Sequence, residues 1–202
     1  MEELIENLNS TKSGERKKAA KKIGKENRTE LGEALLNALI KELENSKAWE
    51  AQSLMITSLG VIQEKKALQI LINICLENKE HDLVTNFAAR AYVRIQRENL
   101  SDISPINELL KFGKFSVVSG AFEVIGEDQM LFSKDEISSL IEFANKFPAK
   151  VIRGVIDFRI GLVKACINWD KDITKEFLQS CIDQTDDVTL KNAAIKVKSK
   201  QK

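Results

Sequence analysis

The chain has 202 residues, with 31 Lys and Arg against 30 Asp and Glu, one His and three Cys. A single histidine excludes His-rich metal sites and leaves any Ser–His–Asp or Cys–His apparatus to His81 alone. Three cysteines cannot pair fully within one chain, and a net charge of +1 exerts no global pull on nucleic acid.

Period-2 alternation and Asn-Gly or Asp-Gly turns are missing, whereas apolar residues recur with a period of 3.6 throughout. The pattern predicts twelve helices in six pairs: 2–10 with 13–24, 31–45 with 47–60, 64–78 with 81–97, 102–112 with 115–126, 134–147 with 149–168, and 171–183 with 186–199. Gly24, Gly60, Gly113 and Gly126 each follow a periodic run, where a helix end needs a residue tolerant of positive φ. Ser104-Pro105 reads as an N-cap followed by a first-turn proline. Ser133 with Glu136 reads as a capping box. Pro148 closes the helix before it, and Asp186-Asp187 after Thr185 places negative charge at a helix start.

The second helices of the first four pairs close on similar phrases. They are Ala19-Ala20-Lys21-Lys22-Ile23-Gly24, Met55-Ile56-Thr57-Ser58-Leu59-Gly60, Ala91-Tyr92-Val93-Arg94-Ile95-Gln96 and Ala121-Phe122-Glu123-Val124-Ile125-Gly126. Their last residues stand 36, 36 and 30 apart, and weaker echoes follow at 163–168 and 193–198. A two-helix unit at such a period predicts an all-α, right-handed α-solenoid, because one pair cannot bury its apolar face until a neighbour stacks on it. The predicted domain is 1–202, with pairs near 1–28, 29–62, 63–99, 100–130, 131–169 and 170–202.

The stretch Arg16-Lys17-Lys18-Ala19-Ala20-Lys21-Lys22-Ile23-Gly24 resembles the second helix of the HEAT-repeat family, with its arginine, paired alanines and terminal aliphatic-Gly. Residues 49–60 keep the aliphatic-Gly ending without the arginine. The resemblance is specific over 1–126 and architectural beyond. It implies a curved stack whose second helices line a concave binding face.

Charge is unevenly placed. Lys12, Arg16, Lys17, Lys18, Lys21, Lys22, Lys25 and Arg28 crowd into 11–28 with two acids, and Lys191, Lys196, Lys198, Lys200 and Lys202 end the chain. Residues 102–187 carry ten basic and fifteen acidic residues. The terminal lysines suit polar caps of a repeat stack or a footprint for an acidic partner. Arg90, Arg94 and Arg97 are spaced i, i+4 and i+7, which puts them on one helix face as a basic ridge. The segment 149–169 is apolar nearly all round, interrupted by Arg153, Asp157 and Arg159, with Gly154 and Gly161 suited to close backbone approach. Asp157 with Arg153 reads as an i,i+4 pair or part of a recognition site. Trp49 and Trp169 are core residues, or hot spots if exposed.

These features point to a non-enzymatic protein-binding scaffold or inhibitor. A toxin-neutralising immunity protein is one form, with a basic enzyme or toxin as partner to the acidic back half. The alternative is nucleic-acid binding of the kind seen in HEAT-like alkylpurine DNA glycosylases, with Asp157, Trp169, Arg153 and Arg90 as the imitating set. No Gly-rich phosphate loop, CxxC or HExxH occurs, so neither cofactor nor metal is expected. No apolar run approaches the ~20 residues of a membrane span. The acidic start Met1-Glu2-Glu3-Leu4 lacks a signal-peptide pattern, and Cys75, Cys166 and Cys181 are read as buried and unpaired. The expected setting is the cytoplasm, with no membrane partner.

Overall fold

The computed structural model describes residues 1–77, 82–148 and 155–201. Among these residues the chain is all-helical, with twelve α-helices, three short 3-10 segments and no strand. Contacts divide it into two compact units, Met1–Gln96 and Arg97–Lys202.

The first unit holds α1 (Glu2–Leu8), α2 (Ser13–Lys25), α3 (Gly32–Leu43), α4 (Trp49–Val61), α5 (Leu68–Glu77) and α6 (Leu83–Gln96). The 3-10 turns Thr29–Leu31 and Lys65–Ala67 lead into α3 and α5. α4 packs on α2 along one side and on α6 along the other, and α1 lies against α2 and α3. The apolar stripes meet inside: Ile23, Leu35, Leu39, Met55, Ile56, Leu59 and Leu71 are fully buried. Each such side chain contributes about 1.5–3 kcal/mol over leaving it in water.

Gly24 and Gly60 do not end their helices, contrary to expectation. Both lie within the last turn, at right-handed φ. Their task is close approach. A Cβ on Gly24 would come within 2.6 Å of the Ser58 hydroxyl, and one on Gly60 within 2.9 Å of the Ala91 Cα. The Ser58 hydroxyl donates to the Ala20 carbonyl at 2.7 Å, so α2 and α4 meet nearly backbone to backbone.

The left-handed residue comes three positions later and is not glycine. Asn27 (φ 50°) and Gln63 (φ 55°) turn the chain after α2 and α4, as Gln129 (φ 52°) does after α8 (Phe115–Glu127) of the second unit. In all three the next N–H returns to a last-turn carbonyl: Arg28 to Ile23 at 3.0 Å, Glu64 to Leu59 at 3.1 Å and Met130 to Ile125 at 3.0 Å. This is the Schellman exit, which satisfies carbonyls the helix leaves open. Gly113 (φ 59°) does take the expected positive φ.

Arg16 ties the first three helices together. Its Nε and Nη2 donate to the two Glu42 carboxylate oxygens at 2.7 and 2.8 Å, and its Nη1 donates to the Ser10 and Thr11 carbonyls. The fork is largely buried, so its planar geometry is what makes it favourable.

The second unit holds α7 (Ser104–Leu110), α8, α9 (Lys134–Lys146), α10 (Ile160–Ala165), α11 (Lys171–Asp183) and α12 (Val188–Lys200). α10 packs on α8 and α12, and α9 on α11. Ser133 and Glu136 form the expected capping box. Asp187 caps α12 by accepting from the Thr189 and Leu190 N–H groups. Ser104 does not cap α7; it is the first helical residue, and Asp102 accepts from its N–H at 2.9 Å.

The predicted helix 149–168 is shorter. Residues 149–154 lie outside the described set, and 155–159 are non-helical ahead of α10. Asp157 explains this: its carboxylate accepts from the Arg159 N–H at 2.9 Å, a local bond that competes with the helical ladder. The segment is apolar because it feeds a phenylalanine cluster. Phe158 lies 5.0 Å from Phe147, 5.9 Å from Phe122 and 6.2 Å from Phe115, by ring centroids. Such pairs add about 0.5–1.5 kcal/mol each beyond area burial.

Candidate binding cleft

Trp49 is the first residue of α4, and helical side chains lean toward the N-terminus. Its indole therefore overhangs the corner where α3 turns into α4. It is 45% exposed, and Ile40, one turn before the end of α3, is 47% exposed. Both line a cleft of about 500 Å³ within the first unit, whose walls come from α3, α4, α5 and the start of α6. Leu43, Ile70, Ile74 and Val84 supply the remaining apolar surface.

The walls are held by specific bonds. The Gln52 amide is buried and donates to the Glu42 carbonyl at 2.8 Å and to the Asn45 carbonyl at 2.9 Å, which pins the α3–α4 turn beneath Trp49. Asp82 caps α6, accepting from the Thr85 N–H at 2.8 Å and hydroxyl at 2.7 Å. A preformed cleft loses little entropy when filled. Among the described residues its charged lining is acidic: Glu44, Glu77 and Asp82.

The other sequence-predicted residues are placed as follows. Arg90 and Arg94 lie half-buried on α6. The Arg90 guanidinium sits 4.6 Å from the Phe87 ring centroid, a cation–π contact. Arg97 directly follows the end of α6; its Nη1 pairs with Asp128 at 2.7 Å, with both side chains largely buried. Trp169 is 6% exposed, and its indole N–H donates to the Met130 carbonyl at 2.9 Å, a core role. Asp157 pairs with Arg159 at 2.7 Å, and the Asp157 N–H reaches the Asp187 carboxylate. The hydrogen bond to Asp157 raises the Arg159 guanidinium above its usual value and outweighs burial, which acts to lower it. Arg153, the other half of the expected pair, lies outside the described residues.

Much of the basic cluster at 11–28 is spent within the unit. Lys12, Arg16, Lys17, Lys22 and Arg28 each have a carboxylate within 4.0 Å. Among the described residues Lys18, Lys21 and Lys25 do not, and all three are exposed.

The three cysteines are free and buried. Burial pushes the Cys75 thiol up to about 12 and Cys181 to about 11, and raises Cys166 further. None is a nucleophile near neutrality. Among the described residues no cluster of His, Cys, Asp or Glu could hold a metal ion, and no helix is long and apolar enough to cross a membrane.

Ile40, Glu44, Glu77 and Asp82 were not singled out by sequence. Ile40 carried a signal, as an isoleucine off the buried stripe of α3. Glu77 carried another, as an acid at a helix end where the dipole favours a cation.

No protein-family model, curated protein or solved structure matches the chain.

Proposed function

We propose that the chain is a helical-repeat, protein-binding module of HEAT-like type, a right-handed solenoid of six helix pairs that binds through the Trp49 cleft and carries out no chemistry of its own. The observation that carries this reading is the indole of Trp49, nearly half exposed beside exposed Ile40 over a preformed apolar cleft. Large aromatic residues that solvent can reach at such a cleft are the side chains from which interfaces draw most of their energy. The repeat part of the reading is supported by the row α2, α4, α6 in one unit, the row α8, α10, α12 in the other, and the Schellman exit shared by α2, α4 and α8. An inhibitor or immunity protein is the form that suits a small binding module, and buried free thiols suit a reducing, cytoplasmic setting.

The test is quantitative affinity capture from extract of the source organism, comparing the native chain with Trp49→Ala and with Lys21→Ala as a remote surface control. A specific protein held by the native chain and by Lys21→Ala, and lost with Trp49→Ala while helicity is unchanged, supports the reading. Capture that Trp49→Ala leaves intact refutes it.

A further inference from the structure

We infer that the occupant of the Trp49 cleft is a basic amphipathic helix of a partner protein, with its apolar side chains on Trp49 and Ile40 and its lysines or arginines against Glu44 and Glu77. This rests on the protein-binding reading above and adds the chemistry of the partner.

Among the described residues, three carboxylates line the cleft and no lysine or arginine does. Asp82 is engaged as the cap of α6. The Glu44 and Glu77 carboxylates have no hydrogen bond or ion pair among the described residues. Their positions make them unusual. Glu44 is the C-cap of α3 and Glu77 is the last residue of α5, so both sit where the helix dipole is already negative. The last turn of α5 contains no basic residue to offset this. Acids at helix C-termini oppose local stability. Two such acids converging on one apolar cleft concentrate a negative field that a cationic ligand relieves.

A helical occupant suits this lining. A segment that binds by adding a β-strand needs an exposed sheet edge, and the described residues contain no strand. Of the uncharged polar side chains in the lining, the Gln52 amide is already donating to two carbonyls, the Thr85 hydroxyl donates to Asp82, and the Asn73 side-chain oxygen accepts from Gln69. A helix satisfies its own backbone, and it lays apolar residues spaced i, i+3, i+4 and i+7 into a groove with cations along its flanks.

The experiment measures fluorescence anisotropy of two labelled synthetic helical peptides against the full chain. One is an amphipathic leucine–lysine sequence, and the other has glutamate for every lysine. The leucine–lysine peptide is expected to bind at least about tenfold tighter than its acidic counterpart, and to weaken as salt rises. Glu44→Lys/Glu77→Lys is expected to cost it about tenfold and to narrow or invert the preference. Trp49→Ala is expected to cost about thirtyfold. Equal binding of both peptides, lost with Trp49→Ala, overturns the charge inference while the protein-binding reading stands. Leucine–lysine binding that neither the charge reversal nor Trp49→Ala alters overturns both, as does a failure to bind. Sedimentation showing self-association of the native chain, abolished by Trp49→Ala, assigns the cleft to a second copy and overturns a foreign partner.

Discussion

Gly161 on α10 faces the carbonyl of Phe122 on α8 so closely that a Cβ at Gly161 would overlap that backbone. Gly126 meets the Gly161 carbonyl from the other side in the same way. Two helices thus touch along main chain, which only paired glycines permit. Gly161→Ala must push α10 off α8, and because both are backbone no side chain can rotate away. The expected cost is about 1–3 kcal/mol by urea unfolding. Gly14→Ala is the contrast, since a Cβ there has nothing within 4 Å; it is expected to add about 0.4–1 kcal/mol.

Gln63 holds a positive φ of 55° after α4. A side chain in that region is strained and glycine is not, so Gln63→Gly is expected to stabilise by about 0.5–1 kcal/mol despite glycine's greater freedom when unfolded. The bond lost is a long one, 3.3 Å from the Gln63 amide to the Arg94 carbonyl. Thermal unfolding of the pair of proteins checks the sign.

Arg16 and Glu42 should behave as a unit. Arg16→Met leaves a buried carboxylate without its fork and is expected to cost about 3 kcal/mol, while Arg16→Met/Glu42→Leu costs less than the sum of the two singles. A double-mutant cycle by denaturant unfolding measures the difference.

The thiols set an alkaline limit. Cys75 and Cys181 are raised by burial to about 12 and about 11, against about 8.5 in the unfolded chain. A group raised on folding contributes stability that is fully present below its unfolded value and lost as pH rises toward the folded one. Stability is therefore expected to fall from about pH 8.5 upward. At neutral pH a thiol reagent should label native protein slowly and unfolded protein at all three cysteines. Rapid native labelling would contradict this.

The helices were legible because each presents a regular apolar stripe between short breaks, and eleven of the twelve predicted spans correspond to observed ones within a few residues. The glycines were misread for a physical reason. A glycine near a helix end can serve either φ or contact, and only the partner helix decides; Ser58 and Ala91 are what decide it for Gly24 and Gly60. Segment 155–159 was misread because all-round apolarity marks burial rather than helicity, and Phe158 is buried in an aromatic cluster while Asp157 bonds locally. Trp49 and Trp169 look equivalent in sequence. They differ because one overhangs a helix start and the other has a carbonyl, that of Met130, to receive its N–H.

On the proposed reading, partners bind at the Trp49 cleft and not along the lysines of α2. Site-specific photo-crosslinking tests it most directly, with a photoreactive residue placed at Ile40 in one preparation and at Lys21 in another. The predicted result is a discrete protein adduct from position 40 alone, suppressed by excess native chain but not by excess Trp49→Ala. Adducts from position 21 and none from position 40 would contradict it.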